Sequence, residues 1–191
     1  MIRLFVTGTD TDVGKTHVTA TLARLARAAG RTVAACKPVA SGVEPGSPGD
    51  DAIALGAAAG HPPLGFATFV APLSPHRAAL LEGRALPADL MERVAALRGD
   101  VVLVEGAGGW RVPLNDREML SALAVELNLP VIQVVGMKLG CISHALLTAE
   151  AIQADGLRYT GTVADCFGEM DVREENLIAL RQHLPGAFTV I

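Results

Sequence analysis

The chain has 191 residues, half of them hydrophobic and 19% charged, with a net charge of −4. That composition belongs to a globular protein with a substantial core and not to a disordered chain. The acidic balance without a basic stripe argues against nucleic acid as a partner, and no apolar run approaches the roughly 18 residues that cross a membrane.

The opening MIRLFVTG is too short an apolar run for a secretory signal, so a soluble, cytoplasmic protein is expected. Its IRLFVT predicts a first strand. GKTHVTATLARLARAAG predicts a helix with Val18, Leu22, Leu25 and Ala29 on one face and Gly30 as its stop. TVAACKPV predicts a second strand ended by Pro38, and Cys36 in it reads as a reduced core residue; Cys141 and Cys166 show no metal-ligand spacing. ASGVEPGSPGD is loop by composition. DDAIALGAAAG predicts a helix with acidic residues at its positive end. LSPHRAALLEG predicts a helix capped by Ser74, started by Pro75 and stopped by Gly83, and PADLMERVAALRG predicts another. DVVLVEG reads as a strand buried on both faces, REMLSALAVELN as a helix and LPVIQVVG as a strand. CISHALLTAEAIQADG predicts a long helix, RYTGTVAD a strand, VREENLIALRQHL a helix and AFTVI a last strand. Apolar strands alternating with helices specify an α/β fold: a mostly parallel sheet covered by helices on both faces, expected as a single domain over residues 1–191.

Ligands of such sheets bind beyond the carboxyl ends of the strands. The chain spends thirteen arginines but only three lysines, Lys15, Lys37 and Lys138, and each lysine falls at or just beyond a strand-to-loop junction on that edge. Asp10, Asp12, Ser41, Glu105 and Asp165 fall there too. The stretch GTDTDVGKT, Gly8 to Thr16, follows a strand and opens a helix, as a phosphate-binding P-loop does. It departs from the common spacing, with five residues between Gly8 and Gly14, two of them aspartates. Its backbone N–H groups and the helix N-terminus suit phosphate, with Lys15 reaching the β- and γ-phosphates and the Thr16 hydroxyl ligating Mg²⁺. In VVLVEGAGG, Glu105 is the only charge in an apolar strand end. It needs a partner, which can be Mg²⁺, a lysine or a helix end. Gly106, Gly108 and Gly109 let backbone approach a ligand closely. CKPVASG puts Lys37 at the end of the second strand and Ser41 in the loop after it. Asp50 and Asp51 open a helix, as caps or as ligands.

Taken together, VTGTDTDVGKT, CKPVASG, DDAIAL, SPHRAA, VLVEGAGGW and VGMKLGCISHALLT resemble the dethiobiotin synthetase family, in the family's order and from Phe5 to about Ala164. The resemblance implies a P-loop NTPase-like fold and an ATP- and Mg²⁺-dependent cyclo-ligase of biotin biosynthesis. Such an enzyme carboxylates 7,8-diaminononanoate with CO₂ and closes dethiobiotin, a cyclic urea, through a carbamate and a carbamic–phosphoric anhydride, releasing ADP and phosphate. The resemblance implies a catalytic set of Lys37, Lys15, Thr11, Ser41 and Lys138. Around the nucleotide it implies Asp12, Val13, Gly14, Lys15, Thr16 and His17 from the loop, Asp51 and Glu105, then Gly106, Ala107 and Gly108, and finally Asp165. Around the diamine it implies Thr11, Lys37, Ser41 and Gly109, with Leu139, Gly140, Cys141, Ile142 and Ser143 receiving the substrate carboxylate across a homodimer interface. The Mg²⁺ ligands would be Thr16, Asp51 and Glu105. Neither nucleic acid nor membrane is an expected partner.

The longer loop is expected to serve two ligands, with phosphate on its backbone side and the diamine at Thr11 and Asp12. Asp10 and Asp12 also balance Lys15 and Lys37. Switch ATPases of the partitioning and division-site type share the fold, but they carry a signature lysine two residues after the first glycine, where this chain has Asp10. Cobyrinate- and cobyrate-type amidation enzymes add a glutaminase domain for which 191 residues leave no room. The chain departs from the family at VADC, where Asp165 stands in place of an adenine-reading Asn. It also ends at PGAFTVI, before the family's GxxP loop and final helix. Both departures concern the nucleobase, and weak base discrimination is expected.

Overall fold

The computed structural model describes residues 1–166, 168 and 170–191. Its strands are β1 (Ile2–Gly8), β2 (Val33–Ser41), β3 (Gly65–Phe69), β4 (Val101–Glu105), β5 (Val131–Gly136), β6 (Tyr159–Asp165) and β7 (Ala187–Val190). Its helices are α1 (Lys15–Ala28), α2 (Asp50–Ala59), α3 (Pro75–Leu81), α4 (Leu90–Ala95), α5 (Ala122–Glu126), α6 (Cys141–Ala154) and α7 (Arg173–His183). The strands form one sheet in the order β3-β2-β4-β1-β5-β6-β7, and every ladder is parallel. From β1 the chain runs outward to β2 and β3, returns through β4, and then builds the other half from β5 to β7. The crevice above the ends of β1 and β4 is therefore a topological switch point, where such sheets bind ligands.

Strand alternation divides the core between the two faces. Ala35, Val101 and Leu103 pack with Ala20 and Ala23 of α1 and Leu55 of α2. Their neighbours Cys36, Val102 and Val104 face the opposite way, into the larger cluster with α3, α6 and α7. The expected parallel sheet with helices on both faces is the one observed. Among the described residues no helix is long and apolar enough to cross a membrane.

Several local expectations needed correction: Ser74 precedes α3 but its side chain makes no cap hydrogen bond, and only Leu90–Ala95 of PADLMERVAALRG is helical. β3 was not anticipated: GFATF is five residues long and sits on the sheet edge, paired only with β2. Pro38 does not end β2, which continues to Ser41. The Lys37 N–H donates to Leu64 O, so the next backbone nitrogen points to the other side, where β4 is last paired at Val104 opposite Cys36. A proline there costs no ladder hydrogen bond. Leu25 is 62% exposed, because α1 buries the stripe through Val18, Thr19, Ala20 and Ala23 instead. Only Ala122–Glu126 of REMLSALAVELN is helical. The Asn115 side chain accepts from the N–H groups of Arg117 and Glu118, and this local turn displaces the first helical turns.

Candidate active site

Between β1 and α1 the loop has two residues in the left-handed region, Asp12 (φ 54°) and Gly14 (φ 90°). Asp is among the few L-residues that visit this region without large strain, which accounts for one of the two unexpected aspartates. A Cβ on Gly14 would lie 1.8 Å from Asp165 Oδ2, so position 14 admits glycine alone. The other aspartate, Asp10, is a hub. Its Oδ1 accepts from the Thr11 N–H at 2.8 Å, its Oδ2 from Lys138 Nζ at 2.6 Å, and its carbonyl from Lys15 Nζ at 2.7 Å. The Lys138 hydrogen bond, then that of Thr11, holds the Asp10 carboxyl below the usual range. No side chain among the described residues caps α1, which leaves its first N–H groups to the crevice.

Four elements bring the charged centre together. The β2–β4 ladder pairs Cys36 with Val104, so Lys37 and Glu105 lie side by side one step further along. Both share the parity of Ala35 and Leu103 and point toward α1 and α2. Thr16 is the second residue of α1 and Asp51 the second of α2. Lys37 Nζ sits 2.7 Å from Glu105 Oε1 and 2.8 Å from Asp51 Oδ2. Burial works to strip the Lys37 proton, but the Glu105 and Asp51 carboxylates outweigh it and hold its pKa above that of an ordinary lysine. Burial pushes Asp51 up; Lys37, Thr16 and Lys15 together bring it below the usual carboxylate range. Burial, then the charge of Lys37, lowers Lys15 to about 8.

Thr16 Oγ1 lies 2.7 Å from both Asp51 Oδ1 and Glu105 Oε1. A hydroxyl has one proton, so only one of these contacts carries a hydrogen bond. The other short O···O approach is offset by the Lys37 ammonium, which contacts both carboxylates. Glu105 is fully buried, and its Oε2 has no hydrogen-bond partner among the described residues.

Lys15, Thr16, Lys37 and Asp51 line one cleft of about 450 Å³, a size typical of small-molecule sites, whereas Glu105 is buried behind them and outside the lining. Its lining includes Thr11, Asp12, Gly14, Lys15, Thr16 and His17 from the first loop and α1, Lys37 and Ser41 from β2, and Asp51 from α2. Ala107, Gly108 and Asp165 complete it. Asp165 is buried at the end of β6, with His17 Nδ1 at 3.2 Å from its Oδ2.

Several expected residues stand outside this wall. Val13 turns its side chain into the core with Val6, Val18 and Val134. Gly106 lies over the Phe5 ring and Gly109 against the Gly8 and Thr9 backbone. Among the described residues Lys138 pairs with Asp10. The Cys141 side chain is buried, whereas Leu139 is 91% exposed and Gly140 and Ser143 are open to solvent. Ile142 is half-buried. Ala40 also lines the cleft, and no sequence signal marked it. The partners of Trp110 were likewise missed: its indole donates to Asp155, 45 residues away.

A phosphate-binding loop, a buried lysine–carboxylate cluster and a parallel sheet with this strand order define a P-loop nucleotide-binding α/β protein. Solved structures with the same fold include chloroplast FtsY from Physcomitrella patens (TM-score 0.56, 19% identity, 97% of this chain and 57% of that one). The septum site-determining protein MinD complexed with Mg-ADP from Pyrococcus horikoshii is a second (TM-score 0.55, 16% identity, 100% of this chain and 81% of that one). A family described as an AAA domain matches residues 2–185. The ATP-dependent dethiobiotin synthetase of Pseudomonas paraeruginosa is 49% identical over 198 residues, covering 97% of this chain and 87% of that protein. That of Cellvibrio japonicus is 48% identical over 193 residues, covering 95% and 85%. The chain belongs to the ATP-dependent dethiobiotin synthetase family.

Proposed function

We propose that the protein makes dethiobiotin from 7,8-diaminononanoate, CO₂ and ATP, working in the cytoplasm as a homodimer. One amine nitrogen attacks CO₂ and loses a proton to solvent, giving a carbamate. A carbamate oxygen attacks the γ-phosphorus as the bond to the ADP oxygen breaks. The second amine nitrogen then attacks the carbamate carbon, phosphate leaves with the C–O bond electrons, and the amine proton is released as the cyclic urea closes. An anion must approach a polyanion in the second step, so preorganised positive charge is the protein's main contribution. Lys37 supplies it from between Glu105 and Asp51, and Lys15 from the loop beside it. Thr11 and Ser41, both in the cleft lining, hold the diamine and its carbamate. Asp165 faces the base, and the Leu139–Ser143 turn of the partner subunit receives the substrate carboxylate.

The donor set fits Mg²⁺, with hard oxygens from Thr16, Asp51 and Glu105 converging and the buried Glu105 Oε2 without a hydrogen-bond partner among the described residues. Those three residues would hold the ion, which when bound with ATP adds positive charge at the phosphate oxygens.

The observation that carries the proposal is the convergence of Lys37, Asp51 and Thr16, in the cleft that also holds Lys15, on the buried Glu105 or on one another through 2.7–2.8 Å contacts. Incubation with the diamine, bicarbonate and Mg-ATP, followed by mass spectrometry, tests it. The expected result is a cyclic urea formed one-for-one with ADP. ADP released without cyclic urea would overturn the assignment.

A further inference from the structure

The GAGG loop that walls the cleft is held at both ends, and the distal anchor lies far from the chemistry. At the near end the Gly106 N–H donates to Val6 O at 2.9 Å. At the far end the Trp110 indole N–H donates to Asp155 Oδ2 at 2.8 Å. Arg111 grips the same carboxylate with both terminal nitrogens, Nη1 to Oδ2 at 2.7 Å and Nη2 to Oδ1 at 2.8 Å. The Phe5 ring supports both ends, meeting Trp110 edge-on with centroids 5.9 Å apart and lying under Gly106. Between the anchors run Ala107, Gly108 and Gly109, and Gly108 is at φ 61°. Such a segment has little stiffness of its own, so its anchors set its position.

Asp155 is an odd residue for its place in the helix. It is the C-cap of α6, where the macrodipole disfavours a carboxylate. Nothing in the helix calls for it, whereas the indole and guanidinium do. Its backbone is firm, with its N–H donating to Ala151 O and the turn continued by Gly156 at φ 77°. Burial works against its ionisation, but the Arg111 and Trp110 hydrogen bonds and the Arg111 charge keep its carboxyl below the usual range.

We infer that Asp155 is a positioning residue: by holding Trp110 and Arg111 it fixes the Ala107–Gly108 wall beside Thr11, where the diamine binds. A Cβ on Gly108 would sit 3.7 Å from Thr11 Oγ1, so small displacements of this wall change the diamine side of the cleft. Lys15 and Thr16, which begin α1, make no hydrogen bond to this segment among the described residues, so the larger effect is expected on the diamine. The inference rests on the proposed reaction.

Trp110 is the only tryptophan, so its fluorescence reports the clamp without any assay of turnover. Asp155→Ala, Asp155→Asn and Arg111→Ala are compared with Asp89→Ala, which breaks an exposed ion pair with Arg93 remote from the loop. Asp155→Ala is expected to raise KM for the diamine about tenfold, with kcat and KM for ATP within about twofold of wild type. Asp155→Asn keeps an acceptor for the indole and should recover part of the loss. Asp155→Ala should red-shift Trp110 emission and open it to acrylamide quenching, and Asp89→Ala should do neither. Equal kinetics in Asp155→Ala, Arg111→Ala and Asp89→Ala would overturn the inference, as would a loss falling equally on ATP and diamine. If wild type forms no cyclic urea, the functional reading fails. The clamp is then judged by whether diamine titration changes Trp110 emission in wild type and not in Asp155→Ala; no change in either overturns it.

Discussion

Replacing Lys37 by Gln should separate catalysis from nucleotide binding and should cost stability in a pH-dependent way. The ammonium is buried, with Glu105 at 0% and Asp51 at 42% side-chain exposure. Breaking a buried pair from one side costs about 3–5 kcal/mol because a charge is left uncompensated. The exposed Asp51 is screened by water, so the penalty comes mainly from Glu105, and the low end, about 3 kcal/mol, applies. For a chain of this size that lowers the melting midpoint by roughly 6–12 °C. Asp51 has a depressed folded pKa, so its contribution is present above the unfolded value near about 4 and is lost as pH falls through the folded one. Wild type therefore surrenders on acidification what the variant already lacks, and the gap between them should narrow below about pH 4. Turnover should fall on the order of 10²–10³-fold from lost charge stabilisation, with ATP affinity nearly intact. Melting curves at several pH values, calorimetric ATP titration and product mass analysis read these effects. A variant that melts within about 2 °C of wild type and keeps more than half its turnover would refute the reasoning.

Glu105→Gln should weaken Mg-ATP more than Mg-free ATP in calorimetric titration, since the amide keeps the shape but loses the hard anionic donor; equal weakening would make Glu105 structural. Asp165 carries a carboxylate that accepts but cannot donate to a ring nitrogen, so ATP, CTP and GTP should support turnover within about tenfold, roughly 1.4 kcal/mol, with UTP worst. Asp165→Asn should sharpen the preference for ATP in the same specificity constants, and a hundredfold preference in the unmodified chain would assign base reading elsewhere. Gly14→Ala puts a methyl 1.8 Å from Asp165 Oδ2 at φ 90°, and ATP binding by calorimetry should fall at least about tenfold; unchanged affinity would show that the loop relaxes freely. A C2 dimer is expected by light scattering at micromolar concentration, consistent with Leu139 at 91% and Leu147 at 62% exposure, and a fully active monomer would refute it.

Local sequence sufficed where the physics is local. The strand-loop-helix around Gly8–Thr16, the apolar run of β4 and the alternation of strands with helices follow from residue period and turn chemistry, which act over a few positions. The acidic start of α2 was legible for the same reason. What local sequence could not carry was contact across distance. GFATF became a strand only because β2 offered it an edge, and Pro38 stayed within β2 only because β4 had already parted from it. Residue by residue the sequence marked Lys37, Glu105, Asp51 and Thr16 in four separate segments, with alternatives open for Glu105 and Asp51. Register, strand parity and the placement of two helix N-termini made them one cluster, joining residues 35 to 89 positions apart through Thr16. Asp10 was expected to balance Lys15 and Lys37, but its carboxylate pairs with Lys138, 128 positions away, while Lys37 pairs with Glu105 and Asp51. Asp155 gave no signal, because a carboxylate after a helix is unremarkable until Trp110 and Arg111 are folded against it. Hydrogen bonds and ion pairs depend on separations of a few ångströms, and for residues this far apart in the chain only the sheet order and helix packing determine those separations.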